Sequence, residues 1–462
     1  MDEHGGTAVE TVLSADYCDP ISEAKKNAYR LLSKALAKKS TDVPTDRPIP
    51  AGVTYLGQMM AHDLILTVPS GKKSRPFDNL VTRPLMLDSL YGLGPAAVPH
   101  LYARAADRGF RTRFCENKVP AEATGTKFSP DVYRNQIMTD QIFQDAAILA
   151  DRRNDSHTTI AQITAVWLRF HNRVMEELGL EPSKTIDRQV QFLVAQSIVR
   201  ATWHQVLRND VLKFVLDDEI MTAEDSRQSA KQKLTPRSPS GGARIALRAL
   251  HSLPLPAYQF NFDTTFRLRL EDMIKIGSER SDRAPDEAWR INWSLFFDLE
   301  GERSAVNRTL YEPKFTNALL AGDGSNLFLA DLARSLKIRQ SFVNRSIVGE
   351  LRNSFEANLF SFVSKMFDGV TVDEGSTEKE DAIKHFRDEG LPLQLLILQE
   401  AQTDAYGKHL GKFGSLLLAP WLVQSLVWAE RQNALTEKQH ALVKRNFKEV
   451  LTFIGQYEER TE

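Results

Sequence analysis

Apolar residues recur every three or four positions along most of the chain, and strict apolar–polar alternation is almost absent, so the pattern predicts a mostly α protein. Ser22 to Lys39 (SEAKKNAYRLLSKALAKK) interleaves charge with Ala and Leu at helical spacing, and the Pro-rich STDVPTDRPIPAG behind it predicts a connector. Tyr55 to Thr67 (YLGQMMAHDLILT) predicts a helix on which Gln58 and His62, four residues apart, share one face among Leu56, Met59, Met60 and Leu64. VPSGKKSRPFDN predicts a loop. Helical patterning then runs from 140 to 178, broken at Ala150 to Ser156, where charged and capping residues precede the apolar face of Ile160, Ile163, Val166, Trp167 and Phe170. Another helix is predicted over 188–215, and TAEDSRQSAKQKLTPRSPSGG reads as a long exposed loop. A helix from Ala243 is ended by Pro254 and Pro256. Asn292 to Phe297 is a short aromatic element, 327–338 (LFLADLARSLKI) a helix, 368–381 an acidic loop, and 392–429 a return to core helices. With no internal repeat, this predicts a single large helical domain over 46–462, preceded by an N-terminal helical arm over 1–45.

Composition changes this picture little. At 462 residues, 42% hydrophobic and 26% charged, the chain can bury a large core and lacks the signature of disorder. A formal charge of -1 gives no basic field for nucleic acid or an anionic membrane. The first residues lack the charged and apolar regions of a leader and no apolar run is long enough to span a bilayer, so a cytoplasmic protein with no membrane span is expected. Cys18 and Cys115 are too few for a disulfide scaffold or a thiolate metal site and read as free thiols.

The candidate chemistry is carried by two histidines, His62 and His251, each in apolar company on a separate predicted helix. Arg153 sits at a helix start, Arg248 lies about one turn before His251, and Asp331 and Arg334 occupy adjacent turns of the 327–338 helix. Any one of these histidines, taken alone, is more often a satisfied core residue. Together they are the parts needed to hold and use a haem: an imidazole for iron, a carboxylate for its other N–H, and a second His with an Arg to move protons and stabilise charge on a bound peroxide. Thr82 to Gly92 mixes side-chain oxygens with a turn, which suits either a hard cation or a helix cap.

These segments resemble the peroxidase–cyclooxygenase superfamily of animal-type haem peroxidases, in particular its bacterial members. IPAGVTYLGQMMAHDL is similar to the family's distal motif, which implies Gln58 in the distal cavity, His62 as the distal base and Asp63 as a calcium ligand. DRRNDSHTTIAQITAVWLRFHNRV resembles the second signature and implies Arg153 as the distal arginine. ALRALHSLPLPAYQFN matches the proximal motif, implying His251 as the iron ligand and Arg248 as a propionate contact. LFLADLARSL resembles the helix whose Asn bonds the proximal His, with Asp331 in that place and Arg334 beside it. The likeness extends over roughly residues 20–430, with four motifs in the family order.

Departures from the family pattern are as telling. Ala61 and Ser156 stand where mammalian members carry the Asp and Glu that esterify the haem, so the resemblance implies a non-covalent haem b. Met86 replaces a carboxylate of the calcium loop and leaves Thr82, Asp88 and Asp63 as a depleted set. Arg248 occupies the position of the radical tyrosine of fatty-acid oxygenating members. The implied function is a haem peroxidase that reduces hydrogen peroxide and oxidises a small organic or halide reductant. A fatty-acid dioxygenase and a non-enzymatic haem-binding or interaction protein are the alternatives. His171 and His204, in helical stretches with polar neighbours, read as structural.

Overall fold

A computed structural model describes residues 23–37, 47–72, 75–104, 110–116, 131–134, 147–179, 185–262, 267–279, 289–316, 337–338, 364–368 and 370–457. Helices dominate them, and the strands form only two-stranded pieces. Among the described residues the architecture is mostly helical, with no closed sheet.

Helix α1 (Glu23–Leu36) is followed by the short strand β1 (Ile49–Pro50) and by α2 (Gly52–Leu64). The hairpin of β2 (Thr67–Lys72) and β3 (Arg75–Asn79) and the one-turn helix α3 (Asp88–Tyr91) precede two long helices, α4 (Thr158–Glu177) and α5 (Thr185–Val206). Almost every residue of α4 is buried, as expected for a helix surrounded by other elements. It is crossed by α2 and α5 and locked to the latter by Trp167 and Trp203, whose rings meet edge to face at 5.1 Å. Next come α6 (Asp218–Ser229), α7 (Gly241–Arg248), the β4 (Ala257–Tyr258) and β5 (Leu268–Arg269) pair, and α8 (Leu270–Glu279). Beyond β6 (Arg308–Thr309) and β7 (Lys337–Ile338), the chain forms α9 (Glu378–Glu389), β8 (Leu391–Pro392), α10 (Leu393–Asp404) and α11 (Lys412–Arg431), closing with α12 (Glu437–His440) and α13 (Phe447–Phe453).

Three local devices set the frame of the site. Strand β1 pairs with β6, and Ala51 N and Gly52 N donate to Asn307 O and Phe296 O, both at 2.8 Å, so the start of α2 is pinned. A Cβ at Gly52 would lie 2.3 Å from the Phe297 ring, which is why glycine stands there. The orphan amides at the start of α11 are taken by Glu400 of α10, which accepts from Phe413 N at 2.7 Å and Gly414 N at 3.0 Å. At the other end of the chain α1 lies along α9, with Tyr29 edge to face on Phe386 at 5.2 Å.

Several local expectations change. The predicted loop after residue 67 is the β2–β3 hairpin. It carries little apolar alternation, and its base is locked by Asn79, whose Oδ1 accepts from Leu66 N at 2.8 Å while Nδ2 donates to Leu64 O at 3.0 Å. The first part of the predicted 222–242 loop is α6, a polar surface helix capped by Asp217 and lying on α11. A helix without an apolar stripe looks like a loop until its neighbour is known. The end of the acidic 368–381 segment is the first turn of α9, where Glu378, Glu380 and Asp381 complement the helix dipole. The helix predicted over 188–215 ends at Val206, followed by one wide turn and one tight one. Residues 327–336 lie outside the described residues, as does Cys18, while Cys115 is a free thiol. Among the described residues no helix is long and apolar enough to cross a membrane.

Candidate active site

Helix α2 is buried over most of its surface, yet Gln58, Ala61 and His62, with Ile65 just beyond its end, are only half-buried. Positions separated by three, four and seven form one face of a helix, so these four side chains make the single open stripe of α2. Facing it is the 151–157 segment, which holds the helix start and the Arg153 and Ser156 singled out from sequence. Asp151 caps the turn Arg152–Asp155 by accepting from Arg153 N at 2.9 Å, and His157 caps α4 by accepting from Ile160 N through Nδ1 at 3.3 Å.

Both polar residues of the stripe are held by this segment. His62 Nδ1 lies 2.8 Å from Asn154 Oδ1. Gln58 accepts from His157 Nε2 at 3.0 Å through Oε1 and donates to Ser156 Oγ at 3.4 Å through Nε2. With Nδ1 of His157 accepting from an amide, its Nε2 must carry the proton, which fixes the orientation of the Gln58 amide. Burial drives the His62 pKa down to about 4, with Arg153 pushing the same way and Asn154 and Asp151 opposing. At neutral pH the imidazole is therefore uncharged and able to accept a proton.

Arg153 lies at the C-terminal end of α2. Its guanidinium forms a forked pair with Asp151 and donates to the carbonyls of His62 at 2.7 Å and Ile65 at 2.5 Å. The cation thus caps the negative end of the helix that carries His62. Asp151, absent from the sequence-based set, is held below the usual carboxylate range by Arg153 against the opposing effect of burial.

His251 sits in the tight turn Ala249–Ser252 that continues α7. Its neighbours Ala249 and Ser252 are buried while His251 itself is exposed. Arg248 is half-buried, and its carbonyl accepts from Gln394 Nε2 at 2.8 Å, tying the end of α7 to α10. This turn packs on α2: a Cβ at Gly57 would lie 3.5 Å from Leu250 Cδ2. The elements bearing His62 and His251 are therefore neighbours. An accessible imidazole on one, and on the other an open stripe holding a neutral imidazole and the small Ala61, form a donor set and surface that fit a haem. Asp331 and Arg334 lie outside the described residues.

The calcium reading does not fit. Asp63 is buried, with Oδ2 accepting from Leu87 N at 2.7 Å and Oδ1 from Ser89 N at 3.3 Å. Thr82 is exposed, and Asp88 makes a forked ion pair with Arg83 at 2.6 Å and 3.0 Å. The charge at the centre of the loop is supplied instead by Arg200 of α5. Its Nε donates to Met86 O at 2.6 Å, and Nη2 lies 3.6 Å from Asp88. His204, one turn along, bonds Leu85 O at 2.8 Å. Among the described residues no cluster of three or more His, Cys, Asp or Glu can hold a metal ion. Burial raises the Asp63 pKa to about 7 despite its two amide donors. His171 is a structural histidine, bonded to Tyr91 Oη at 3.0 Å and Thr112 O at 2.8 Å.

Asn154, His157 and Arg200 carry much of this geometry and were not singled out from sequence. Asn154 is next to Arg153, and Arg200 is one helical turn before His204. A lone Asn or Arg in a helical segment carries no signal until the partner element is placed.

Residues 114–279 match the family model for animal haem peroxidase. No curated protein sequence matches the chain. Among solved structures, the fold is similar to the fatty acid alpha-dioxygenase of Oryza sativa, with a TM-score of 0.54 at 11% identity, covering 94% of this chain and 80% of that one. It is likewise similar to the fatty acid alpha-dioxygenase of Arabidopsis thaliana, with a TM-score of 0.55 at 12% identity over 95% of this chain and 78% of that one. A variant of the Oryza sativa enzyme with palmitic acid matches at a TM-score of 0.54 and 11% identity, covering 94% of this chain and 80% of that one. At these identities the structures speak for the fold alone. The animal haem peroxidase match thus falls on residues 114–279, less than half of the chain, within a fold similar to that of these enzymes.

Proposed function

We propose that the protein is a haem-dependent peroxidase that reduces hydrogen peroxide and oxidises a second, small organic or halide substrate. The observation that carries this reading is His62, uncharged at neutral pH, on the only open stripe of α2, with one ring nitrogen bonded and the other free for chemistry. A bound haem would supply the site at which peroxide is activated and the two electrons that reduce it, which the second substrate would then restore. His251 would hold it, with Arg248 at its edge and Asp331 and Arg334 completing the proximal side. His62 then takes the proton from one peroxide oxygen and returns it to the departing one, general acid–base work for a group that stays neutral at the working pH. Arg153 acts as a fixed positive charge behind His62, opposing its protonation and favouring negative charge as the O–O bond breaks. Gln58, its amide oriented by His157 and Ser156, lines the same face as a hydrogen-bonding wall.

Non-covalent attachment follows from Ala61, half-buried on the stripe, and from Ser156, whose hydroxyl is engaged by Gln58. We take residues 46–462 as the catalytic unit and 1–45 as an arm upon it, in a cytoplasmic protein.

One observation favours a second reading, a fatty-acid dioxygenase: the fold shared with two such enzymes. Against it stands Arg248 where the oxygenating members carry their tyrosine. The test is to mix the haem-loaded protein with hydrogen peroxide in a stopped-flow spectrometer, and separately with palmitic acid in an oxygen electrode. Fast reaction with peroxide and turnover of a reductant without oxygen uptake support the peroxidase. Oxygen uptake driven by the fatty acid supports the dioxygenase, and neither response would leave a haem carrier.

A further inference from the structure

Asn154 is fully buried and bonded at every polar atom. Its backbone N–H donates to Asp151 O at 3.1 Å, and its carbonyl accepts from Thr164 Oγ1 at 3.5 Å. On the side chain, Nδ2 donates to Ser89 O at 3.2 Å and Oδ1 faces His62 Nδ1 at 2.8 Å. Ser89 is itself held, because its N–H donates to the buried Asp63. The amide cannot be turned over, since a flip would set Oδ1 against the carbonyl of Ser89, two acceptors face to face with no proton between them. With Oδ1 therefore pointing at the imidazole, Nδ1 must carry the ring proton, and Nε2 is left with a lone pair.

Resting on the peroxidase reading, we propose that Asn154 is the positioning residue of the distal base: its side-chain oxygen fixes His62 as the Nδ1–H tautomer, and its amide group anchors that oxygen to Ser89. Isolated histidine prefers the other tautomer, in which Nε2 holds the proton and cannot accept one. The selection matters because a general base held in the wrong tautomer is idle however well it is placed. The anchor also fixes the ring plane: Ser89 lies in α3, so His62 on α2, Asn154 before α4 and α3 are joined by two bonds through one side chain.

The test uses the full chain with haem bound. In the diamagnetic ferrous carbon monoxide form, 15N-histidine correlation spectra assign the tautomer of His62, and the spectrum of His62→Ala identifies the signal. The expected result is a neutral Nδ1–H imidazole in the wild type, a mixed or Nε2–H imidazole in Asn154→Ala, and return of Nδ1–H in Asn154→Asp, which keeps the acceptor. The rate of reaction with peroxide should fall roughly 10- to 100-fold in Asn154→Ala, the size of effect expected of a mispositioned catalytic group, and recover in part in Asn154→Asp. An Nε2–H tautomer in the wild type overturns the proposal even if neither Asn154 variant folds. An Asn154→Ala protein as fast as wild type, beside a slow His62→Ala, also overturns it. If His62→Ala itself reacts at the wild-type rate, the assignment of His62 as distal base fails, while the tautomer spectrum still judges the Asn154 contact.

Discussion

Replacing Arg200 by Met tests whether the 82–90 loop is built around an internal cation. The side chain is buried, donates to Met86 O at 2.6 Å, sits 5.7 Å from the centre of the Tyr91 ring, and lies beside Asp88 at 3.6 Å. Met fills most of the volume but provides none of these contacts. A hydrogen bond from a charged donor is worth about 2 kcal/mol, a cation over an aromatic face about 1 kcal/mol, and the partly exposed ion pair to Asp88 little more than zero. Asp63, whose charged form Arg200 favours, limits the loss by taking up a proton more readily, since its pKa already stands at about 7. The expected destabilisation is ~3 kcal/mol. Unfolding entropy of ~2 cal/mol/K per residue makes this roughly 3 °C in Tm for a chain of 462 residues. The assay is a thermal melt of wild type and Arg200→Met with excess calcium and with chelator. Wild type should melt at one temperature in both, whereas an ion at a hundred times its Kd would add ~2.7 kcal/mol. A calcium-dependent rise in the wild-type Tm, or a variant that melts with the wild type, refutes the internal-cation account.

Four further outcomes follow from the same geometry. Haem should extract fully into acidified organic solvent, because neither Ala61 nor Ser156 offers a carboxylate for an ester; porphyrin left on the protein would contradict this. His62→Ala and Arg153→Ala should each slow the peroxide step by roughly two or more orders of magnitude in stopped flow, with haem uptake in the His62 variant unchanged. Gly52→Ala should cost ~1–3 kcal/mol in chemical denaturation, since the new methyl meets the Phe297 ring inside the core. His171 and His204, both buried, have pKa values pushed by burial from 6.5 to about 4. Their contribution to stability is full above 6.5 and is lost as pH falls towards 4, so His204→Asn should flatten that limb of the stability profile.

How far the chain can be read without its fold depends on whether a residue's partner is near in sequence. The α2 stripe is legible because Gln58 and His62 are four apart, and the turn at Arg153 because charged and capping residues over Ala150 to Ser156 stand beside an apolar run. The end of α7 is legible from its prolines. The hairpin over 67–79 was hidden because its register is held by one side chain, Asn79, reaching back to Leu64 and Leu66. Helix α6 was hidden because its support is α11, some two hundred residues later. The calcium loop fails for the same reason. Thr82, Asp88 and Asp63 look like oxygen donors in sequence, but the cation that answers them comes from α5, 114 residues from the carbonyl it binds.

The internal cation of the loop and the placing of His62 are connected. Asp63 and His62 are adjacent on α2, so their side chains diverge: His62 faces the open stripe and Asp63 the buried side. Asp63 organises the loop by accepting from Leu87 N and Ser89 N, and Leu85 and Leu87 adopt positive φ, at 60° and 56°, to present those groups. Positive φ in branched apolar residues is costly, and the cost is met only while Asp63, Arg200 and His204 hold the loop from inside. From Ser89 the constraint passes through Asn154 back to His62, one residue from where it began. A divalent ion at Asp63 could fix this circuit, but would make the geometry of the base depend on metal supply. With the guanidinium of Arg200 in that place, the described contacts that hold the loop, Asn154 and the His62 imidazole are all made by protein groups.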